Sequence, residues 1–165
     1  MIITAYFAGF AINGLFFTIP DRIGRKMSVF YAMVASCLAQ TVMIFSSSFY
    51  VRSAMFFVMG LTQLKVGASF VWLSECVGHE YKSTAFTLIN MYDAITMAVT
   101  CAYFIFISRE LVWLCLFFCV LSYVATLVVL VCPESPRWHL VNGRKFEAIE
   151  SLNRIAQMNN RCDES

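Results

Sequence analysis

The chain has 165 residues, of which 60% are hydrophobic and only 13% charged, with a formal net charge of +2 and a mean hydropathy of +0.72. A water-soluble domain usually carries about 25% charged residues. The composition therefore excludes an ordinary soluble protein and indicates an integral membrane protein, whose environment is the lipid bilayer. We expect no nucleic-acid partner.

A short charged segment, Asp21 to Lys26, separates two long apolar runs. No charged residue occurs in Ile2–Ile19 or in Met27–Phe45. Each run has about the 20 apolar residues that a helix needs to cross ~30 Å of hydrocarbon. The segment is rich in basic residues, and short loops of that kind lie on the cytoplasmic side. We therefore expect it to lie in the cytoplasm.

The hydropathy pattern predicts an all-α, multi-pass transmembrane helical bundle over residues 1–131. The five expected spans are Ile2–Ile19, Met27–Phe45, Val51–Leu73, Thr84–Ile107 and Leu111–Val131. With the first loop inside, most of the 12 Lys and Arg residues also fall inside, which supports this orientation. They are Arg22, Arg25, Lys26, Lys82, Arg137, Arg144, Lys145, Arg154 and Arg161.

The segment 132–165 differs in character, and we expect it to be cytoplasmic. Pro133 and Pro136 end the last span, because proline cannot continue a helix and restricts the residue before it. An apolar stripe at intervals of three then predicts a short amphipathic helix. The stripe consists of Phe146, Ile149, Leu152, Ile155 and Met158. The helix either rests on the membrane surface or on the inner ends of the spans, or it recruits a separate partner.

Three segments that the predicted topology places inside carry a resemblance to a known family. Asp21-Arg22-Ile23-Gly24-Arg25-Lys26 is similar to the loop between the second and third helices of major facilitator superfamily transporters. The segment from Glu75 to Lys82 resembles the junction of the fourth and fifth helices in organic cation and anion transporters. The segment from Pro133 to Trp138 resembles the signature after the sixth helix in the sugar-porter and organic-ion branches.

The resemblance implies a secondary transporter that moves a small organic solute by alternating access. The junction from Glu75 to Lys82 favours the organic-ion branch, with a sugar porter as the alternative. The family has twelve spans, and this chain corresponds to the second to sixth. The first helix and the second half of the bundle would be supplied by the same transporter or by a partner chain.

The resemblance also implies a gate of paired charges at the cytoplasmic ends of the helices. Its candidate residues are the acids Asp21, Glu75 and Glu134, the bases Arg22, Arg25, Lys82 and Arg137, and the loop glycine Gly24. The alternative is that these are ordinary solvated loop charges that only set the topology.

Lys65 and Asp93 lie well inside predicted spans, where a charged residue costs about 2.5–3.5 kcal/mol on insertion scales. Lys65 and Asp93 lie about 12 and 13 Å from the same membrane face at 1.5 Å per residue, and Asn90 shares the face of Asp93. They either pair with each other or both face a water-filled cavity that binds a charged solute or a proton. Gly60 and Gly67 share one face, which we expect to pack on a neighbouring helix.

No motif supports an enzyme, and we expect no cofactor and no metal. His79 and His139 have no metal ligands at usable spacing, and the seven cysteines fit a reduced, structural role. A rival hypothesis is a truncated, non-transporting membrane protein that binds a full-length transporter. We expect a plasma-membrane location, and the charge of the solute stays open.

Overall fold

A computed structural model describes residues 2–16, 19–107 and 110–158, and every regular element in these ranges is a helix. The α-helices are α1 (Ile2–Asn13), α2 (Ile19–Ile23), α3 (Arg25–Phe45), α4 (Phe49–Leu61), α5 (Leu64–Cys76), α6 (Lys82–Phe106), α7 (Leu111–Val131), α8 (Pro136–Val141) and α9 (Lys145–Met158). Single 3-10 turns lie at Gly14–Phe16 and His79–Tyr81. The all-α prediction is confirmed.

Most of the predicted spans correspond to helices of membrane length. Within the described ranges, 4 helical stretches are long and apolar enough to cross a bilayer: Arg25–Phe45, Phe49–Cys76, Lys82–Phe106 and Leu111–Val131. The first predicted span differs, because α1 has only 12 residues. At 1.5 Å per residue it covers ~18 Å. Gly14, a poor helix former, begins the 3-10 turn that follows.

The third predicted span is two helices rather than one, because the chain breaks between Leu61 and Leu64. The amide of Gln63 bonds to the carbonyl of Gly60 at 3.2 Å, and the amide of Lys65 to that of Thr62 at 3.2 Å. These bonds join residues three positions apart rather than four, as in a 3-10 turn.

Side chains stabilise the break. The Thr62 hydroxyl donates to the carbonyl of Met59 at 2.9 Å, and such bonds to the preceding turn bend helices. The Gln63 amide group donates to the hydroxyl of Tyr6 on α1. The break is therefore fixed partly by a contact with a distant helix.

Helix α1 packs on α4 with direct backbone contact at two glycines. A Cβ added at Gly9 would lie 2.2 Å from the carbonyl oxygen of Phe57, and one at Gly60 would lie 2.1 Å from that of Tyr6. Small residues allow such close approach of membrane helices. The predicted packing role is confirmed for Gly60.

Helix α3 lies at the centre of the bundle and packs against α4, α5 and α7. Small polar groups join α3 to its neighbours. The hydroxyl of Ser36 on α3 lies 3.2 Å from that of Thr62, in the break after α4. The thiol of Cys37 on α3 lies 3.5 Å from the hydroxyl of Thr126 on α7. By contrast, α6 contacts mainly α5 and the preceding turn and buries none of its residues.

The predicted amphipathic helix exists as α9, which forms a hairpin with α8, but its orientation was not foreseen. Its buried face contains the small residues Ala148 and Ser151, whereas Phe146 is 90% exposed. Ile149 and Leu152 of the apolar stripe are exposed as well. Among the stripe residues whose side chains the structure describes, only Ile155 is half-buried.

Candidate functional site

Helix ends from three separate parts of the sequence meet at one end of the bundle. They are the start of α3, the end of α5, and the loop between α7 and α8. We call Arg25, Lys26, Glu75, Glu134 and Ser135 the charged cluster. It joins the first and last of the three family-like segments with Glu75, the second-last residue of α5.

The ion pair between Arg25 and Glu75 connects α3 to α5. Arg25 Nε lies 3.2 Å from Glu75 Oε2, and the terminal nitrogen NH2 donates to Oε1 at 3.4 Å. The guanidinium thus contacts both carboxylate oxygens, through a hydrogen bond from NH2 and an ion-pair contact at Nε. The two side chains are only 14% and 7% exposed, so solvent screens the pair weakly.

Each member of this pair lies at a helix end where the helix dipole disfavours its charge. Arg25 begins α3, whose N-terminus is partly positive, and Glu75 is the second-last residue of α5, whose C-terminus is partly negative. Each charge is therefore stabilised by the opposite charge rather than by the dipole of its own helix. When the two helices separate, each charge loses the partner that stabilises it.

Glu134 binds the N-terminus of α3 directly. Its Oε1 accepts from the backbone amide of Lys26 at 2.9 Å and from that of Ser135 at 3.1 Å. The first amides of a helix have no partner within the helix, and the dipole there favours a negative charge. The carboxylate thus ties the loop after α7 to the start of α3.

Gly24 makes room for this carboxylate. Its φ of +113° is a conformation that residues with a side chain rarely adopt, and an added Cβ would lie 2.6 Å from Glu134 Oε2. The glycine is needed both for its backbone angle and for the close approach of Glu134.

Ser135 is fully buried, at 0% exposure, and joins two parts of the cluster. Its hydroxyl donates to Glu75 Oε2 and accepts from the backbone amide of Trp138 at 3.2 Å, which caps α8. Ser135 was not among the residues predicted for the site. Serine directly before a proline at the first helical position is a recognisable cap signal.

Lys26, which was not among the predicted gate residues, has a partner as well. Its ammonium donates to the carbonyl of Leu130 at 2.9 Å. The last carbonyls of a helix have no partner within the helix, so Lys26 binds the end of α7 while its own amide binds Glu134.

Other predicted gate residues are not part of this arrangement. Arg22 and Arg137 are exposed and Lys82 is half-buried, and none of them forms an ion pair with another described residue. The side chain of Asp21 lies outside the described part of the chain.

Lys65, Asn90 and Asp93 are not brought together by the structure. The Lys65 ammonium donates to Ser36 on α3 at 2.6 Å, and among the described residues it forms no ion pair with Asp93. Asn90 donates to the carbonyl of Phe86 in its own helix at 2.9 Å, and both Asn90 and Asp93 are exposed on α6. Among the described residues the structure therefore shows no contact between Lys65 and Asp93, and a role of either residue in a solute or proton site stays a prediction.

An apolar cavity of about 880 Å³ opens beside the charged cluster. Its lining includes Trp72, Cys76, Tyr81, Pro133 and Ile155, and none of Lys65, Asn90 or Asp93 belongs to it. The Trp72 indole nitrogen donates to the carbonyl of Pro133 at 3.2 Å, which braces α5 against the loop after α7. Within the described ranges, no cluster of His, Cys, Asp or Glu is suited to hold a metal.

These features define a multi-pass helical membrane protein whose helix ends are tied together at one end by buried charges. The chain belongs to the transporter family described as Sugar (and other) transporter, which it matches over residues 1–164.

Two relatives named for the organic solutes they carry are similar to the chain over most of its length. The chain is 31% identical to the carcinine transporter of Drosophila melanogaster over 150 residues, which cover 89% of the chain and 22% of that protein. It is 26% identical over 162 residues to organic cation/carnitine transporter 2 of Arabidopsis thaliana, covering 94% of the chain and 30% of that protein.

A third relative is named as a solute carrier. The chain is 27% identical over 166 residues to solute carrier family 22 member 6 of Pseudopleuronectes americanus, covering 98% of the chain and 29% of that protein. The chain thus spans less than a third of the length of each of these relatives. The resemblance to organic-ion transporters of the major facilitator superfamily is confirmed, and the family and these relatives are transporters rather than enzymes.

Proposed function

We propose that this chain is part of a secondary transporter that carries a small organic ion by alternating access, and that the charged cluster holds one side of it closed. The observation that carries the proposal is the pair of Arg25 and Glu75, which is buried although both helix dipoles disfavour it. A transporter needs contacts that form in one state and separate in the other. This pair joins two separate helices and meets that requirement.

We further propose that the solute carries a positive charge. Several relatives are named for organic cations, carnitine or carcinine. In this chain Asp93 lies on a face of α6 that no other part of the described structure covers. Because a carboxylate facing lipid is costly, we infer that this face borders a water-filled pathway, where Asp93 attracts the cation.

The exposed face of α6 also bears on the helices that would surround it. Asn90 and Asp93 project from a helix with no buried residue, and lipid is a poor environment for both. We propose that additional helices, from the same polypeptide or from a partner chain, complete the bundle on this side. A non-transporting interaction protein is the alternative, and the length of the native polypeptide separates the two.

We propose that the charged cluster and the hairpin of α8 and α9 lie in the cytoplasm and that the protein resides in the plasma membrane. The support is the excess of Lys and Arg in the segments at this end. Protease digestion of sealed, right-side-out vesicles tests the orientation. An epitope placed after Met158 is expected to be protected, and its removal without detergent would contradict the proposed topology.

Uptake tests the transport function. Cells that produce the full-length native protein are expected to accumulate a radiolabelled quaternary ammonium compound faster than cells with the empty vector. Labelled glucose and a labelled organic anion serve as matched solutes. Uptake of glucose alone would support the sugar-porter alternative, and no uptake of any solute at normal surface expression would favour the non-transporting protein.

A further inference from the structure

We propose that Ser135 is a positioning residue that couples the hairpin of α8 and α9 to the ion pair of Arg25 and Glu75. The inference rests on the proposed function, because it concerns how closure of the helices at the charged cluster moves the hairpin of α8 and α9. It gives Ser135, which lies within the segment Pro133 to Trp138, a coupling role that the ion pair alone does not specify.

The geometry gives the Ser135 hydroxyl two different tasks. A serine hydroxyl has one donor hydrogen and can accept further bonds. Here the hydrogen goes to Glu75 Oε2 on α5, and the oxygen accepts from the Trp138 amide at 3.2 Å in the first turn of α8. The Ser135 hydroxyl oxygen thus contacts both the Glu75 carboxylate and the first turn of α8.

Burial makes this contact specific. Ser135 is 0% exposed, so water cannot replace either partner without movement of the loop. Glu75 is itself only 7% exposed, and a hydrogen bond to a charged group is stronger than one between neutral groups. When Glu75 leaves Arg25, either this bond breaks or Ser135 moves with the carboxylate.

The hairpin is joined firmly enough to carry such a movement. Trp138 is buried at 9% exposure, and the Arg144 guanidinium lies over its ring at 5.8 Å from the centroid. His139 in α8 lies 3.0 Å from Glu147 in α9. A displacement of Ser135 would therefore carry both helices of the hairpin.

Hydrogen exchange of the α8 amides tests the coupling in the full-length native protein in lipid nanodiscs. Glu75→Ala removes the acceptor on α5 and leaves the cap of α8 intact. Ser135→Gly removes the donor, while glycine is nearly as good a cap as serine. Because a hydrogen bond to a charged group is stronger than one between neutral groups, each variant is expected to speed exchange in α8 about tenfold.

The double variant distinguishes coupling from two independent effects. If Ser135 acts through Glu75, Glu75→Ala with Ser135→Gly also speeds exchange about tenfold, whereas independent effects would multiply. If Ser135 serves only as a cap, Glu75→Ala leaves α8 exchange unchanged, and the proposal is overturned. Multiplying effects would overturn it too.

Two further variants keep the test decisive. If Glu75→Ala does not reach the membrane, Glu75→Gln replaces it, because a neutral amide accepts a weaker bond and must still speed α8 exchange. Glu80→Gln, in the turn before α6, is the control and is expected to leave α8 unchanged. Since exchange requires no transport, an uptake failure would count against the proposed function alone.

Discussion

The carboxylate of Glu134 lies so close to Gly24 that a Cβ at that position would stand 2.6 Å from Glu134 Oε2. This contact joins the loop after α7 to the start of α3, more than a hundred residues earlier in the sequence. Because Gly24 also has a φ of +113°, two separate penalties oppose any side chain there.

Gly24→Ala is expected to lower stability by more than the strain of its backbone angle alone. At φ +113° and ψ +149° a residue with a side chain is strained by about 1–3 kcal/mol, and displacement of Glu134 from the Lys26 amide at the start of α3 adds to this. Gly143→Ala is the matched control, because Gly143 has a φ of +75° but nothing within 4 Å of an added Cβ. Thermal unfolding in detergent measures both, and equal losses would contradict the role of Glu134.

Removal of the Arg25 guanidinium is expected to be costly. Arg25→Met leaves the Glu75 carboxylate buried without its cation, and breaking a buried pair in this way costs about 3–5 kcal/mol. Ser135 retains one bond to the carboxylate, so the lower figure is expected.

Two comparisons in the same thermal-unfolding assay make this prediction specific. Arg144→Met removes a cation whose partner Glu147 is 51% exposed, and such surface pairs contribute at most about 1 kcal/mol. The double variant Arg25→Met with Glu75→Gln should recover part of the loss. Equal effects of Arg25→Met and Arg144→Met would mean that the buried pair does not stabilise the bundle.

Gly60→Ala is expected to separate α1 from α4. The added Cβ would meet the backbone of Tyr6 at 2.1 Å, and backbone atoms cannot rotate away as a side chain can. We therefore expect a large fall in the amount of folded protein, measured by fluorescence-detected size-exclusion chromatography. Gly78→Ala is the control, because its nearest atom is a Tyr81 ring carbon at 4.0 Å. Normal recovery of Gly60→Ala would contradict the helix contact.

Asp93→Asn is expected to weaken uptake of an organic cation by the full-length protein. Loss of one charged contact of about 1.5 kcal/mol corresponds to a rise in KM of about tenfold. The change should leave surface expression unaltered, because Asp93 has no ion-pair partner in the described ranges. Asp93→Glu keeps the charge and is expected to retain most activity. Unchanged kinetics in Asp93→Asn would remove Asp93 from the proposed site.

The sequence was sufficient for the helical class and for most span positions, because a continuous apolar run of about 20 residues has few other stable structures in a bilayer. It was not sufficient for the break at Thr62 and Gln63. That break depends on the hydroxyl of Tyr6 on α1, which no local pattern reveals.

Only part of the charged cluster could be predicted from the sequence. Motif residues identified Arg25, Glu75 and Glu134, but which charges meet depends on how the helices pack. Lys65 illustrates the limit: equal depth in the membrane suggested Asp93 as its partner, whereas the fold directs its ammonium to Ser36 on another helix. The depth of a residue in the membrane can be estimated from a sequence, but the direction in which its side chain points around the helix axis depends on how the neighbouring helices pack.

The central claim is that the buried pair of Arg25 and Glu75 holds one side of an organic-cation transporter closed. The most direct test compares initial uptake of a radiolabelled quaternary ammonium compound by the full-length native protein and by Glu75→Gln, at equal surface expression. Our account predicts uptake by the native protein and a reduced maximal rate in Glu75→Gln, with KM little changed, because the residue lies away from the proposed cation site. An unchanged maximal rate, or no uptake by the native protein, would contradict it.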